Sequence, residues 1–116
     1  MPGQKREVIL NAYRIMWLFV FFDLPVETKK QRKAATDFRK NLLKDGFAMM
    51  QYSVYVRHCA SDESIQVHIK RVNSFVPEKG KVSILKITDK QYGDIQNFWA
   101  SKQEGLPGAP LQIELF

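Results

Sequence analysis

Residues Met16–Leu24, MWLFVFFDL, place eight apolar side chains in nine positions, mostly aromatic or β-branched, and Pro25 closes the run. A strand with one face in water alternates apolar and polar residues. A near-continuous apolar run instead predicts a strand buried on both faces, and therefore central in its sheet. Asp23 interrupts the run near its C-terminal end, where a carboxylate leaves the sheet for a solvated edge and can meet a metal ion or a phosphate ester. The same residue reads equally well as a turn-initiating Asp ahead of Pro25, and the stretch alone leaves both readings open.

A chain of 116 residues is one domain. Folding at this length buries about two thirds of the surface the unfolded chain exposes, so neither a disulfide nor a structural metal is required. The single cysteine, Cys59, has no partner in the chain, no Cys/His spacing resembles a zinc site, and a reducing cytoplasm is expected, with Cys59 as a small apolar filler. Lys and Arg number 18 against 12 acidic residues, a net charge of +6, which favours polyanionic partners and nucleic acid first. A merely solubilising basic surface is the alternative. Lys5, Arg6 and Arg14 ahead of an apolar run superficially resemble a signal peptide. That run is broken by Asp23 and Pro25, lacks a small-residue cleavage pattern and falls far short of the ~20 residues a membrane-spanning helix needs. No membrane association is expected.

Residues 1–14 carry mixed charge with little periodicity and read as a basic arm. Thr28 is placed to cap a helix running to about Asp45, with Gly46 as its stop. At 100° per residue Ala34, Ala35, Phe38 and Leu42 share one face. Lys29, Lys33, Lys40 and Lys44 fall opposite, and Lys30, Arg32 and Arg39 extend the basic surface. The stripe is a candidate nucleic-acid contact, its alternative a solvated helix face. Residues 47–59 are too long for one short strand and are split near Gln51 and Tyr52 by a tight turn or bulge. Beyond the split, Val54 and Val56 alternate with Ser53, Tyr55 and Arg57, predicting one apolar face and one face of hydroxyls and a cation.

Ser61, followed by Asp62 and Glu63, opens a second helix with Ile65, Ile69, Val72 and Val76 on its buried side and Pro77 as its stop. His68 lies near that side and reads as a packed or rim residue rather than a ligand. Val82–Ile87 form the next strand. Thr88-Asp89-Lys90-Gln91 fits a capping box opening a third helix, with Tyr92, Ile95, Phe98 and Trp99 as a core or subunit-contact stripe. Residues 101–110 read as a linker. Leu111–Phe116 form a terminal strand whose Leu111, Ile113 and Leu115 are candidates for docking a sheet edge, in the chain itself or in a partner.

The order strand, helix, strand, strand, helix, strand predicts an α+β fold, a ferredoxin-like βαββαβ sandwich over residues 15–100 with an extra C-terminal helix and terminal strand. Helices on one face leave the other sheet face bare, and a two-fold homodimer would bury it.

Phe22-Asp23-Leu24-Pro25, Leu43-Lys44-Asp45-Gly46-Phe47 and Gln51-Tyr52-Ser53-Val54-Tyr55 together resemble the second CRISPR-associated protein, the small partner of the spacer integrase, and look most like its type II variants. The resemblance implies a homodimer held between two integrase dimers, capturing duplex DNA and inserting it as a new spacer. It also implies a Mg2+-dependent nuclease (with Mn2+ as a substitute) on RNA or double-stranded DNA. By the same resemblance Asp23 is the metal-site and catalytic residue, Ser53 its polar companion on the strand, and Lys30 and Arg32 lie near phosphate-contacting positions. Met49 stands where many members carry a basic residue. One Asp per subunit becomes a metal site when dimer symmetry brings two together. A rigid basic scaffold asks less of the residues than a nuclease does. The remaining alternative is a ferredoxin-like RNA-binding or regulatory module outside CRISPR biology, against which stands the lack of the aromatic signature of RNA recognition motifs.

Overall fold

The protein is described from a computed structural model over residues 16–100. The apolar run becomes strand β1 (Met16–Asp23), hydrogen-bonded on both edges. Its neighbours are β3 (Val54–Cys59) and β4 (Lys81–Thr88), both antiparallel to it, and β2 (Ala48–Gln51) pairs outside β3 to give the order β2-β3-β1-β4. Helices α1 (Lys29–Lys44) and α2 (Asp62–Ser74) supply the two crossovers, and a short α3 (Asp89–Gly93) follows β4. This is the expected ferredoxin-like α+β sandwich.

Both long helices pack on one sheet face. Leu18, Val20 and Phe22 from β1 meet Phe38 and Leu42 of α1 and Ile65 and Val72 of α2, with Tyr55 and Cys59 from β3 beside them. Pleating sends Trp17, Phe19 and Phe21 to the opposite face. Burial on this second face is incomplete, since Phe19 is covered while Phe21 remains 38% exposed. β1 is central as its sequence predicts, but helices bury only one side of it.

Local signals set the helix ends. Thr28 Oγ1 accepts from Gln31 N at 3.0 Å while Gln31 Oε1 accepts from Thr28 N at 3.0 Å, a reciprocal cap that starts α1. Gly46 follows the Asp45 cap with φ +89°, a conformation that costs a side chain but not glycine. Ser61 caps α2 through Ser64 N, and the Thr88/Gln91 box caps α3. α2 stops at Ser74, before Pro77 and before Val76, which is left 38% exposed rather than buried.

Three expectations are corrected. The third helix is only five residues long, so Tyr92, Ile95, Phe98 and Trp99 never form a helical stripe. Tyr92 stacks on Trp17 at 3.8 Å between ring centroids, while Phe98 and Trp99 are exposed. Gly93, a weak helix former, stands at the break. On β3, Tyr55 is buried against the helices and Arg57 lies on that side, donating from Nη1 to Asp45 O at 2.7 Å. Of the residues expected on a face of hydroxyls and a cation, Tyr55 and Arg57 thus lie on the covered side while Ser53 falls in the turn before β3, and Val54 and Val56 lie on the face without helices. That face is also not bare throughout, because Tyr92 closes its Trp17 end.

The β2–β3 connection runs through a tight turn at Tyr52 and Ser53, with a register irregularity between Met49 and Gln51. Both devices expected there are present. The basic arm with Lys5, Arg6 and Arg14 and the terminal strand with Leu111, Ile113 and Leu115 lie outside the described residues.

Candidate carboxylate cleft and cationic helix

The end of β1 builds a cleft. In the ladder Asp23 stands opposite Lys81 and Phe21 opposite Ser83, while Phe22 N donates to Ser53 O at 3.1 Å. Asp23, Ser53, Lys81 and Ser83, floored by Phe21 and Val54, line an open hollow of about 310 Å3. Asp23 and Ser53, singled out from sequence, are therefore brought together, and Lys81 and Ser83 join them. Asp23 and Lys81 are both exposed and form no ion pair, leaving a carboxylate and an ammonium directed to solvent. Gly80 holds the loop against this strand end. Its φ is +104°, and a Cβ there would lie 2.8 Å from Asp23 O and from a Leu24 methyl.

Magnesium takes one or two carboxylates, keeps several waters and draws its other ligands from phosphate oxygens. The cleft offers one carboxylate, two hydroxyls and a nearby lysine. Among the described residues no group of three or more His, Cys, Asp or Glu is placed to hold a metal. The donor set fits a Mg2+ shared with a phosphate group or with a second Asp23, and does not fit a self-sufficient metal centre.

The basic residues of α1 separate by what they touch. Lys29, Lys40 and Lys44 are exposed and have no acidic partner among the described residues. Lys33 is paired with Asp37 at 2.9 Å one turn on, which takes up part of its charge. Arg32 folds back, its Nη1 donating to the carbonyls of Val26 and Glu27 at 3.1 and 3.2 Å, so it clamps the loop leaving β1. Lys30 borders a hollow of about 200 Å3 between Leu24, Ala34 and Pro77. Arg39 turns inward, its guanidinium 5.5 Å from the Phe22 ring centre and 4.1 Å from that of Tyr52. The uniform stripe expected from periodicity is a mixture of free lysines and residues already engaged.

Away from the cleft, Asp45 ties the end of α1 to α2. His68 Nδ1 donates to Oδ2 at 2.7 Å and Arg71 Nη1 to Oδ1 at 2.8 Å. Burial raises this carboxyl, but the hydrogen bonds and positive charge of His68 and Arg71 outweigh it and hold Asp45 below its usual 3.8. His68 is a packed residue with a structural partner, as its place on the helix suggested.

Sequence reasoning assigned no site role to Lys81, Ser83, Asp45 or Tyr52, although Asp45 and Tyr52 stand within the motifs that carry the resemblance. Lys81 reads as turn chemistry beside Gly80 until the ladder sets it opposite Asp23. The signal for Asp45 was a helix-terminal Asp with a His and an Arg one turn apart on the next helix.

A central antiparallel sheet with both helices on one face, a carboxylate and cation at one strand end and free lysines along the outer helix define a ferredoxin-like domain whose surface suits polyanions. The chain belongs to the Cas2 family. The family model described as CRISPR associated protein Cas2 matches residues 16–95. The chain is 50% identical over 107 residues to a Flavobacterium psychrophilum protein named CRISPR-associated endoribonuclease Cas2, covering 92% of this chain and 93% of that one. A Parvibaculum lavamentivorans protein of the same name is 52% identical over 101 residues, covering 87% of this chain and all of the relative. A solved structure titled as a crystal structure of Cas2 superposes with a TM-score of 0.53 at 20% identity, over 87% of this chain and 99% of that chain, which supports the fold. Membership makes this a CRISPR-associated protein.

Proposed function

We propose that the protein is a homodimeric scaffold of CRISPR adaptation that, with the integrase, captures duplex prespacer DNA and helps insert it as a new spacer in the cytoplasm. The observation that carries this reading is the set of exposed lysines on α1, Lys29, Lys40 and Lys44, free of acidic partners among the described residues. Such cations track a phosphate backbone without reading bases, which suits capture of arbitrary sequence. The sheet face opposite the helices supports the dimer. Phe21 and Leu85 remain partly exposed on it beside Val54 and Val56, and a second copy would bury them.

A second reading, Mg2+-dependent cleavage of RNA or double-stranded DNA, is favoured by the gathering of Asp23, Ser53, Lys81 and Ser83 into one cleft, and the relatives carry endoribonuclease in their names. In that reading Asp23 would hold the metal and Ser53, Ser83 and Lys81 the phosphate. Bound there, Mg2+ would supply charge neutralisation at the phosphate and acidify a bound water. With one carboxylate and no histidine among the lining residues, the cleft is better equipped to grip a phosphate than to activate water. Half-site integration by purified integrase with wild type or Asp23→Ala separates the two. Insertion at the wild-type rate is expected. Loss of insertion with dimer and integrase complex intact would overturn the scaffold reading and make Asp23 a catalytic or metal-organising residue.

A further inference from the structure

Tyr52 sits in the two-residue turn between β2 and β3, immediately before Ser53 of the cleft, and is 70% exposed. Its ring is nevertheless held from one side, where the Arg39 guanidinium lies 4.1 Å from its centre. Arg39 is itself anchored. It lies 5.5 Å from the ring centre of Phe22, which is buried edge-on against Phe38 at 5.0 Å, and its Nε is buried without a hydrogen-bond partner. The guanidinium is held between rings, and among the described residues no carboxylate pairs with it. None of the aromatic pairs among the described residues involves Tyr52, so no ring covers its second face.

We propose that Tyr52, backed by Arg39, is a stacking platform for one unpaired nucleobase of a strand whose adjacent phosphate enters the Asp23–Ser53–Lys81 cleft. This rests on the nucleic-acid reading above and adds a ligand feature that the lysines of α1 do not provide. An aromatic face beside cations is the combination that binds single-stranded nucleic acid, with the base on the ring and the phosphate on the charge. The base stacks on the open face while Arg39 polarises the ring from behind. Because the ring is already immobilised, little side-chain freedom is lost on binding. Base pairs within a duplex hide their faces from such a platform, so the nucleotide it takes is unpaired, at an overhang or a strand opening.

The test uses the full-length protein and a DNA hairpin with a single-nucleotide overhang carrying either adenine or an abasic residue, with affinities read by fluorescence anisotropy. Wild type should prefer the base over the abasic overhang by roughly 5- to 150-fold, the range expected for one base on one aromatic ring. Tyr52→Leu should bring that ratio close to one, and Tyr52→Trp should retain it. Replacing the adenine with 2-aminopurine should give fluorescence quenching on binding to wild type and Tyr52→Trp but not to Tyr52→Leu. A purely structural Tyr52 would leave the ratio unaltered. Salt-sensitive hairpin binding with no base preference in wild type would overturn the platform and leave the nucleic-acid reading standing. Failure of wild type to bind either hairpin would overturn both.

Discussion

Asp45 shows how one side chain can join parts of the fold that local sequence keeps separate. It caps α1, accepts from His68 and Arg71 on α2, and lends its backbone carbonyl to Arg57 on β3. Gly46 is coupled to the same arrangement, since a Cβ there would collide with the Arg57 guanidinium. Because Asp45 is held below its usual pKa in the folded state, the unfolded chain takes up the proton first as pH falls. Its contribution is therefore complete above the ordinary carboxylate range and is lost as pH drops through the lowered folded value. Thermal melts from neutral pH down to about pH 2 should show Asp45→Asn less stable than wild type at neutral pH, with the gap closing in acid. A gap that stays constant with pH would show that the ionised carboxylate is not the source of the difference.

At the scale of the element, α1 combines three tasks along one helix. Its Ala35, Phe38 and Leu42 bury against the sheet, Arg32 clamps the preceding loop, and Lys29, Lys40 and Lys44 face solvent. Each phosphate contact contributes nearly one unit to the slope of log K against log salt. Lys40→Gln with Lys44→Gln should therefore weaken duplex binding and reduce that slope by about two. Lys33→Gln should act more weakly, because Asp37 already holds that ammonium at 2.9 Å. Titrations at several salt concentrations would check both, and equal effects from Lys33 and Lys40 would show that the Asp37 pair does not matter in solution. α3 illustrates a limit of local signals. Thr88 and Gln91 start a helix correctly, yet a cap specifies where a helix begins and not how far it runs, and this one stops at Gly93.

For the whole molecule, the sheet divides into a helix-covered face and an apolar open face, and the proposed dimer uses the open one. Leu85 is 48% exposed on the open face, opposite Phe19 in the β1–β4 register. Leu85→Glu leaves a charge in solvent in a monomer but buries one in a face-to-face dimer, where an unpaired charge is strongly disfavoured. Sedimentation should show wild type as a dimer and Leu85→Glu as a monomer with native circular dichroism. A dimer that survives the substitution would place the interface elsewhere on the surface.

The sequence alone determined the identity and order of the strands and the two long helices, the caps at Thr28, Ser61 and Thr88, and the centrality of β1. These follow from side-chain periodicity and from contacts between residues three or four apart, which a chain carries before it folds. Asp23 and Ser53 were legible as candidates through motif resemblance and residue chemistry. The tertiary structure alone decided that Lys81 and Ser83 share their cleft, that Asp45 belongs with His68 and Arg71, and that Arg39 backs Tyr52. Each of these depends on register or packing between segments distant in sequence, as with the 23 residues separating Asp45 from His68. The facing of β3 has the same cause. Alternation reveals that a strand has two faces, but only the placement of the helices settles that Tyr55 is buried beneath them while Val54 lies on the face without them.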